Sequence, residues 1–132
     1  MNDIITKPCR DMAALIARRE ISCEELVQLH LEAKDRYDAV LGSYVSSFPD
    51  DEVLAQARAS DGRRARGEQL GPLDGIPVAV KDNMHARGIP TTCASAILRN
   101  YLPPFDATAV ARLKASGAIV IGKTNLDEFA MG

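Results

Sequence analysis

Two short apolar runs separated by one helical stretch do most to limit what this chain can fold into. Gly75 to Lys81 reads Gly-Ile-Pro-Val-Ala-Val-Lys, and Ala118 to Ile121 reads Ala-Ile-Val-Ile. Runs this short and this continuously apolar predict strands covered on both faces, with Pro77 near the start of the first. Between them Asp106 stands where a helix cap belongs. Ala107, Val110, Leu113 and Lys114 then carry the helix toward Gly117, a left-handed stop. Strand, helix and strand make a βαβ unit, whose strands are parallel and whose crossover is right-handed in nearly all known cases. Functional residues of such sheets gather beyond the carboxyl ends of the strands, here Lys81-Asp82-Asn83 and Gly122-Lys123-Thr124-Asn125.

The preceding sequence is mainly helical. Met12, Leu15 and Ile16 fall at i, i+3 and i+4 and predict a short helix over about Asp11 to Arg19. Ser22 stands three residues before Glu25, a capping box, and Leu26, Leu29, Ala33 and Tyr37 continue at helical spacing. Ser43 to Phe48 is rich in strand formers. After Pro49, the acidic Asp50, Asp51 and Glu52 favour the start of a third helix, which Val53, Leu54, Ala57 and Ala65 line and Gly67 ends. The Arg63, Arg64 and Arg66 cluster in its last turns is expected in solvent, complementing the helix dipole. The fold class is therefore α/β, with N-terminal helices followed by a βαβ unit: helical over 1–70, βαβ over 71–132.

The 132 residues carry 16 Lys plus Arg against 18 Asp plus Glu, a net charge of −2. No basic field exists to hold DNA or an anionic membrane. No apolar run approaches the roughly 18 residues of a membrane span, and Met1 to Arg10 lacks the hydrophobic centre of a leader. A cytoplasmic protein is expected. Cys9, Cys23 and Cys93 are odd in number and widely spaced, without a metal-binding pattern, so free thiols are the default.

Gly117 to Thr124 matches the phosphate-loop pattern G-x-x-x-x-G-K-[ST] letter for letter. In a true phosphate loop the strand precedes the first glycine, whereas here the four middle residues are themselves the best strand nearby. Gly117 is therefore read as a helix stop and Gly122 as the turn that ends the strand, and no cofactor is assigned to this chain. Asn125 is placed to cap a short helix containing Glu128, with Asp127 in its first turn, a structural account of both acids. His30 and His85 have no visible partner. Lys81 is more informative. It shares a strand face with Pro77 and Ala79, whose small side chains leave room for a long one to lie partly buried, and a desolvated lysine can serve as a base toward a serine hydroxyl. A strand-end lysine that merely reaches solvent is the competing reading. No G-x-S-x-G and no S-x-x-K is present, so composition and spacing alone stop short of a reaction.

Residues 71–83, Gly-Pro-Leu-Asp-Gly-Ile-Pro-Val-Ala-Val-Lys-Asp-Asn, resemble the opening signature of the amidase signature family, and residues 122–132, Gly-Lys-Thr-Asn-Leu-Asp-Glu-Phe-Ala-Met-Gly, resemble a second block of it. Residues 88–95 and 103–108 are similar to the tRNA-dependent amidotransferase branch of that family. The Thr-Thr-Cys-Ala-Ser wording at 91–95 and Asp-Glu-Phe-Ala-Met-Gly at 127–132 are the discriminating parts. The resemblance implies a larger mixed sheet covered by helices, of which this chain is an incomplete, N-terminal part.

It also implies a Ser-cis-Ser-Lys triad in which Lys81 takes the lysine's place. Both serines are then expected downstream of Gly132, so the chain by itself is expected to be inactive. The implied function is glutamine hydrolysis, whose ammonia converts Glu-tRNA(Gln) or Asp-tRNA(Asn) to Gln-tRNA(Gln) or Asn-tRNA(Asn). The implied partners are glutamine, subunits B and C, and misacylated tRNA through the complex, with ATP and magnesium belonging to one of those partners. The alternatives are a stand-alone amidase of the same family and a non-catalytic piece that binds partner subunits.

Overall fold

The computed structural model describes residues 3–132. Met1 and Asn2, which open the stretch read as lacking a leader, lie outside the described residues. Among the described residues, four α-helices, α1 (Cys9–Ala17), α2 (Cys23–Leu41), α3 (Asp50–Arg66) and α4 (Thr108–Ala115), accompany three strands, β1 (Tyr44–Ser47), β2 (Pro77–Lys81) and β3 (Ile119–Thr124). Local chemistry explains most boundaries. Ser22 and Glu25 form the reciprocal capping box that opens α2, and Gly42 closes it in the left-handed conformation, φ 59°. Gly67, φ 72°, closes α3 in the same way. The first helix begins two residues earlier than its apolar spacing suggests, directly after Pro8.

The sheet order is β1-β3-β2, with β2 parallel and β1 antiparallel to β3. β2-α4-β3 is thus the anticipated βαβ unit, and β1, from the helical half of the chain, closes the other side of β3. As the central strand, β3 is buried on both faces, which is why its first three residues need no polar alternation. Ile119 and Ile121 pack with Met12, Ile16, Leu26, Val27, Leu31, Val53 and Ala57, beneath α1 to α3. Val120 packs with Val80, Ala86, Ile89 and Val110, beneath α4. Each such buried Val, Leu, Ile or Met side chain stabilises the fold by about 1.5–3 kcal/mol.

β2 departs from the expectation of cover on both faces: Val80 is buried, whereas Ala79 and Lys81 are exposed. Three further expectations are corrected. Gly122 does not end β3 but lies inside it, against β1, where an added Cβ would sit 2.8 Å from both the Ser46 carbonyl oxygen and Tyr44 Cδ1. The residue before α4 is Ala107, because the Asp106 carboxylate is taken up by the Arg87 N–H at 2.7 Å and Lys114 Nζ at 2.9 Å. Arg63 and Arg64 do not lie free in solvent. Arg63 forms an ion pair with Asp74, and Arg64 donates to the Asp74 carbonyl, tying α3 to the loop that enters β2. Arg66 does remain exposed, beside Glu68.

Candidate active site

Lys81 is the last residue of β2, opposite Thr124 of β3, so both expected strand ends lie side by side. Its side chain is exposed rather than partly buried, because Ala79 beside it is exposed too. No hydrogen bond or ion pair holds that side chain among the described residues.

The next residue is the opposite case. Asp82 is fully buried, and so is Lys123 of β3; Lys123 Nζ lies 2.9 Å from Asp82 Oδ1. The ammonium also donates to Thr91 Oγ1 at 3.0 Å and to the Pro90 carbonyl at 3.4 Å, so each of its three protons has an acceptor. The other carboxylate oxygen accepts from the Thr92 N–H at 3.1 Å and from the Thr92 hydroxyl. Two main-chain bonds hold the same residue: the Asp82 N–H donates to the Thr124 carbonyl, and its own carbonyl accepts from the Cys93 N–H, both at 3.0 Å. The pair survives burial because every charged atom is met by a partner.

The loop around this pair is tightly constrained. Cys93 and Ala94 are both left-handed, φ 51° and 54°. The Phe129 N–H donates to the Cys93 carbonyl at 3.0 Å, and Ser95 Oγ donates to Glu128 Oε1 at 2.6 Å. Glu128 therefore anchors the loop from across the chain. Asn125 does not cap the turn Glu128–Ala130, which Asp127 precedes; its side-chain amide donates instead to the Gly42 carbonyl at 3.2 Å. A cleft of about 560 Å³ beside the loop is lined by Tyr44, Ser46, Thr92, Ser95, Arg99 and Asn125. Lys81 is not among its lining residues.

The apparent phosphate loop is strand. Ile119 to Thr124 form β3, and its lysine is committed to Asp82. His30 Nδ1 lies 2.8 Å from the Leu26 carbonyl, and His85 packs against Tyr101 and Phe105 with ring centroids 5.5 and 5.0 Å away. All three thiols are free, with Cys23 buried. Spacing did not reveal Asp82, Thr91, Thr92 and Lys123 as one group. The available signal was a lysine near the end of a buried central strand, level in the parallel register with Val80, two residues before Asp82.

The chain itself matches a known family. A profile described as Amidase matches residues 25–132, and the chain is a member of the amidase family. Among curated proteins, it is 46% identical over 132 residues to the glutamyl-tRNA(Gln) amidotransferase A subunit of Acidothermus cellulolyticus, covering 100% of this chain and 26% of that protein. It is 50% identical over 123 residues to the protein of that name from Anaeromyxobacter sp. (strain K), covering 93% and 25%. Among solved structures, native peptide amidase from Stenotrophomonas maltophilia superimposes with a TM-score of 0.86 at 34% identity, covering 93% of this chain and 25% of that one. The glutamyl-tRNA(Gln) amidotransferase A subunit from Thermotoga maritima gives a TM-score of 0.63 at 40% identity, covering 83% and 21%. The chain spans about a quarter of the length of the curated relatives it matches. No helix among the described residues is long and apolar enough to cross a membrane.

Proposed function

We propose that this chain forms the N-terminal part of the glutamine-hydrolysing subunit of a cytoplasmic tRNA-dependent amidotransferase, and that Lys81 is its catalytic lysine. The observation that carries the reading is 46% identity along all 132 residues to such a protein, against 34% to a stand-alone peptide amidase. Lys81 supports it by its place, at the carboxyl end of β2 where a parallel sheet presents its chemistry.

In this reading Lys81 takes a proton, through a bridging serine, from a nucleophilic serine supplied by sequence beyond residue 132. That serine attacks the glutamine carboxamide, ammonia leaves, and water releases glutamate from the acyl-enzyme, so that glutamine plus water yields glutamate plus ammonia. Fixed hydrogen-bond donors to the tetrahedral oxyanion come from the same later sequence. Partner subunits B and C complete the enzyme. One of them uses ATP and magnesium to activate the misacylated Glu-tRNA(Gln) or Asp-tRNA(Asn) that receives the ammonia.

The test is ammonia release from glutamine by the full-length protein with its partner subunits. Lys81→Ala should lower it by about 10²–10⁴-fold, the usual contribution of a positioned base. The 132-residue chain alone should release none, and release by it would overturn the placement of the nucleophile. Hydrolysis of peptide amides without partner subunits would instead favour a stand-alone amidase.

A further inference from the structure

We infer that Asp82 and Lys123 are positioning residues, which hold Lys81 where it can act on the nucleophile; the inference rests on the catalytic reading of Lys81 given above. Lys81 is a flexible side chain with no partner of its own among the described residues. Whatever fixes its origin must therefore act through the main chain. The next residue supplies that constraint. Asp82 is held at four points: its N–H by Thr124, its carbonyl by Cys93, one carboxylate oxygen by Lys123 and the other by Thr92.

Stability does not by itself account for an ion pair here. Two fully buried charges give back in attraction about what they lose in hydration, and a well-packed apolar pair of the same volume is often as stable. What an apolar pair cannot do is fix direction. Lys123 Nζ spends its protons on Asp82, Thr91 and Pro90, so it binds the end of β2 to the loop at 90–92 in one geometry. Thr92 bonds Asp82 in turn, and the Cys93 N–H, one residue further on, closes the loop over it. A displacement of about 1 Å at a reacting group is enough to lose on the order of 10²-fold in rate.

The experiment compares variants of the full-length protein, assembled with its partner subunits, by steady-state ammonia release from glutamine. The double variant Asp82→Asn/Lys123→Met removes both charges while keeping shape and leaves no uncompensated ion. Its kcat should fall at least tenfold with KM within twofold of the parent, and its melting temperature should stay close to the parent's. A folded double variant with kcat within twofold of the parent overturns the inference. If the double variant does not fold, Thr91→Val decides, since it removes one acceptor of Lys123 Nζ without disturbing a charge. A threefold or greater drop in kcat at constant KM supports the inference, and an unchanged kcat overturns it. Lys81→Ala separates the two readings. If it retains full activity, the catalytic assignment of Lys81 has failed; if it is inactive while the other variants are unaffected, only the positioning role has.

Discussion

Arg63 and Asp74, eleven residues apart, meet in a two-pronged ion pair, with Nε donating to Oδ2 at 3.0 Å and Nη2 to Oδ1 at 2.6 Å. The pair clasps the end of α3 to the loop leading into β2. Burial works against ionisation of Asp74, but the Arg63 guanidinium, the Leu70 N–H and Ser60 outweigh it and hold the carboxyl below its usual range. A carboxyl depressed in the folded state stabilises fully above its unfolded pKa, near about 4, and that stability is lost as pH falls through the lower folded value. Asp74→Ala should destabilise by about 3 kcal/mol at pH 7, the cost of leaving one partner of such a pair behind. Urea unfolding from pH 7 to pH 3 checks both points, because the difference between parent and variant should shrink below pH 4.

Two glycines should respond oppositely to alanine. In Gly122→Ala the new methyl meets the Ser46 carbonyl and the Tyr44 ring at 2.8 Å, and the resulting overpacking should cost about 1–3 kcal/mol. Gly62 lies within α3, where an added Cβ meets only Arg66 Nη1 at 3.5 Å, so Gly62→Ala should add about 0.5–1 kcal/mol through helix propensity. Thermal unfolding of both variants measures the contrast.

The three thiols should separate by reactivity. Burial, with Asp61 beside it, pushes the Cys23 thiol up to about 12, while Cys9 is exposed near the start of α1. With Ellman's reagent at pH 8, Cys9 should label first and Cys23 only on unfolding, since the thiolate is the reacting form. Rapid labelling of Cys23 in the folded protein would contradict its burial.

The two strand-end lysines should differ in stability as sharply as they differ in burial. Lys81→Ala removes an exposed side chain and should change stability by less than about 0.5 kcal/mol. Lys123→Ala leaves Asp82 charged and buried without its partner, which should cost about 3–5 kcal/mol. Chemical unfolding of the two variants distinguishes them.

ATP with magnesium should not raise the melting temperature of this chain, because the residues that would cradle phosphate are the strand β3. Ligand binding to the folded state raises stability in proportion to RT ln(1 + [L]/Kd), so a concentration-dependent rise would restore the nucleotide reading.

Much of the architecture is legible in the residues because it depends on local chemistry. The Ser22 to Glu25 capping box, the left-handed Gly67 and the uninterrupted apolar run of β3 each act within a few residues of chain. The parallel β2-α4-β3 unit follows from handedness and length, and it places Lys81 at a strand end beside Thr124. Asp106 and Asn125 defeat the same reasoning. Each has the right local chemistry for a cap, but Lys114 and Arg87 take up the Asp106 carboxylate, while Asn125 donates its amide to the Gly42 carbonyl and accepts from the adjacent Leu126 N–H.

The sequence by itself determined the order of elements, the family and the residue at the carboxyl end of β2. Only the tertiary structure decided which charges are buried, because burial belongs to a surface made by several elements at once. Lys123 lies near the end of one strand and Lys81 ends another, and spacing treats them alike. Packing does not: the loop at 90–95 folds over Asp82 and seals Lys123 from water, while Lys81, one residue before Asp82, is left facing out. Removing a charge from water is tolerated only where other chain segments supply its hydrogen bonds, and those segments come together only in the folded chain.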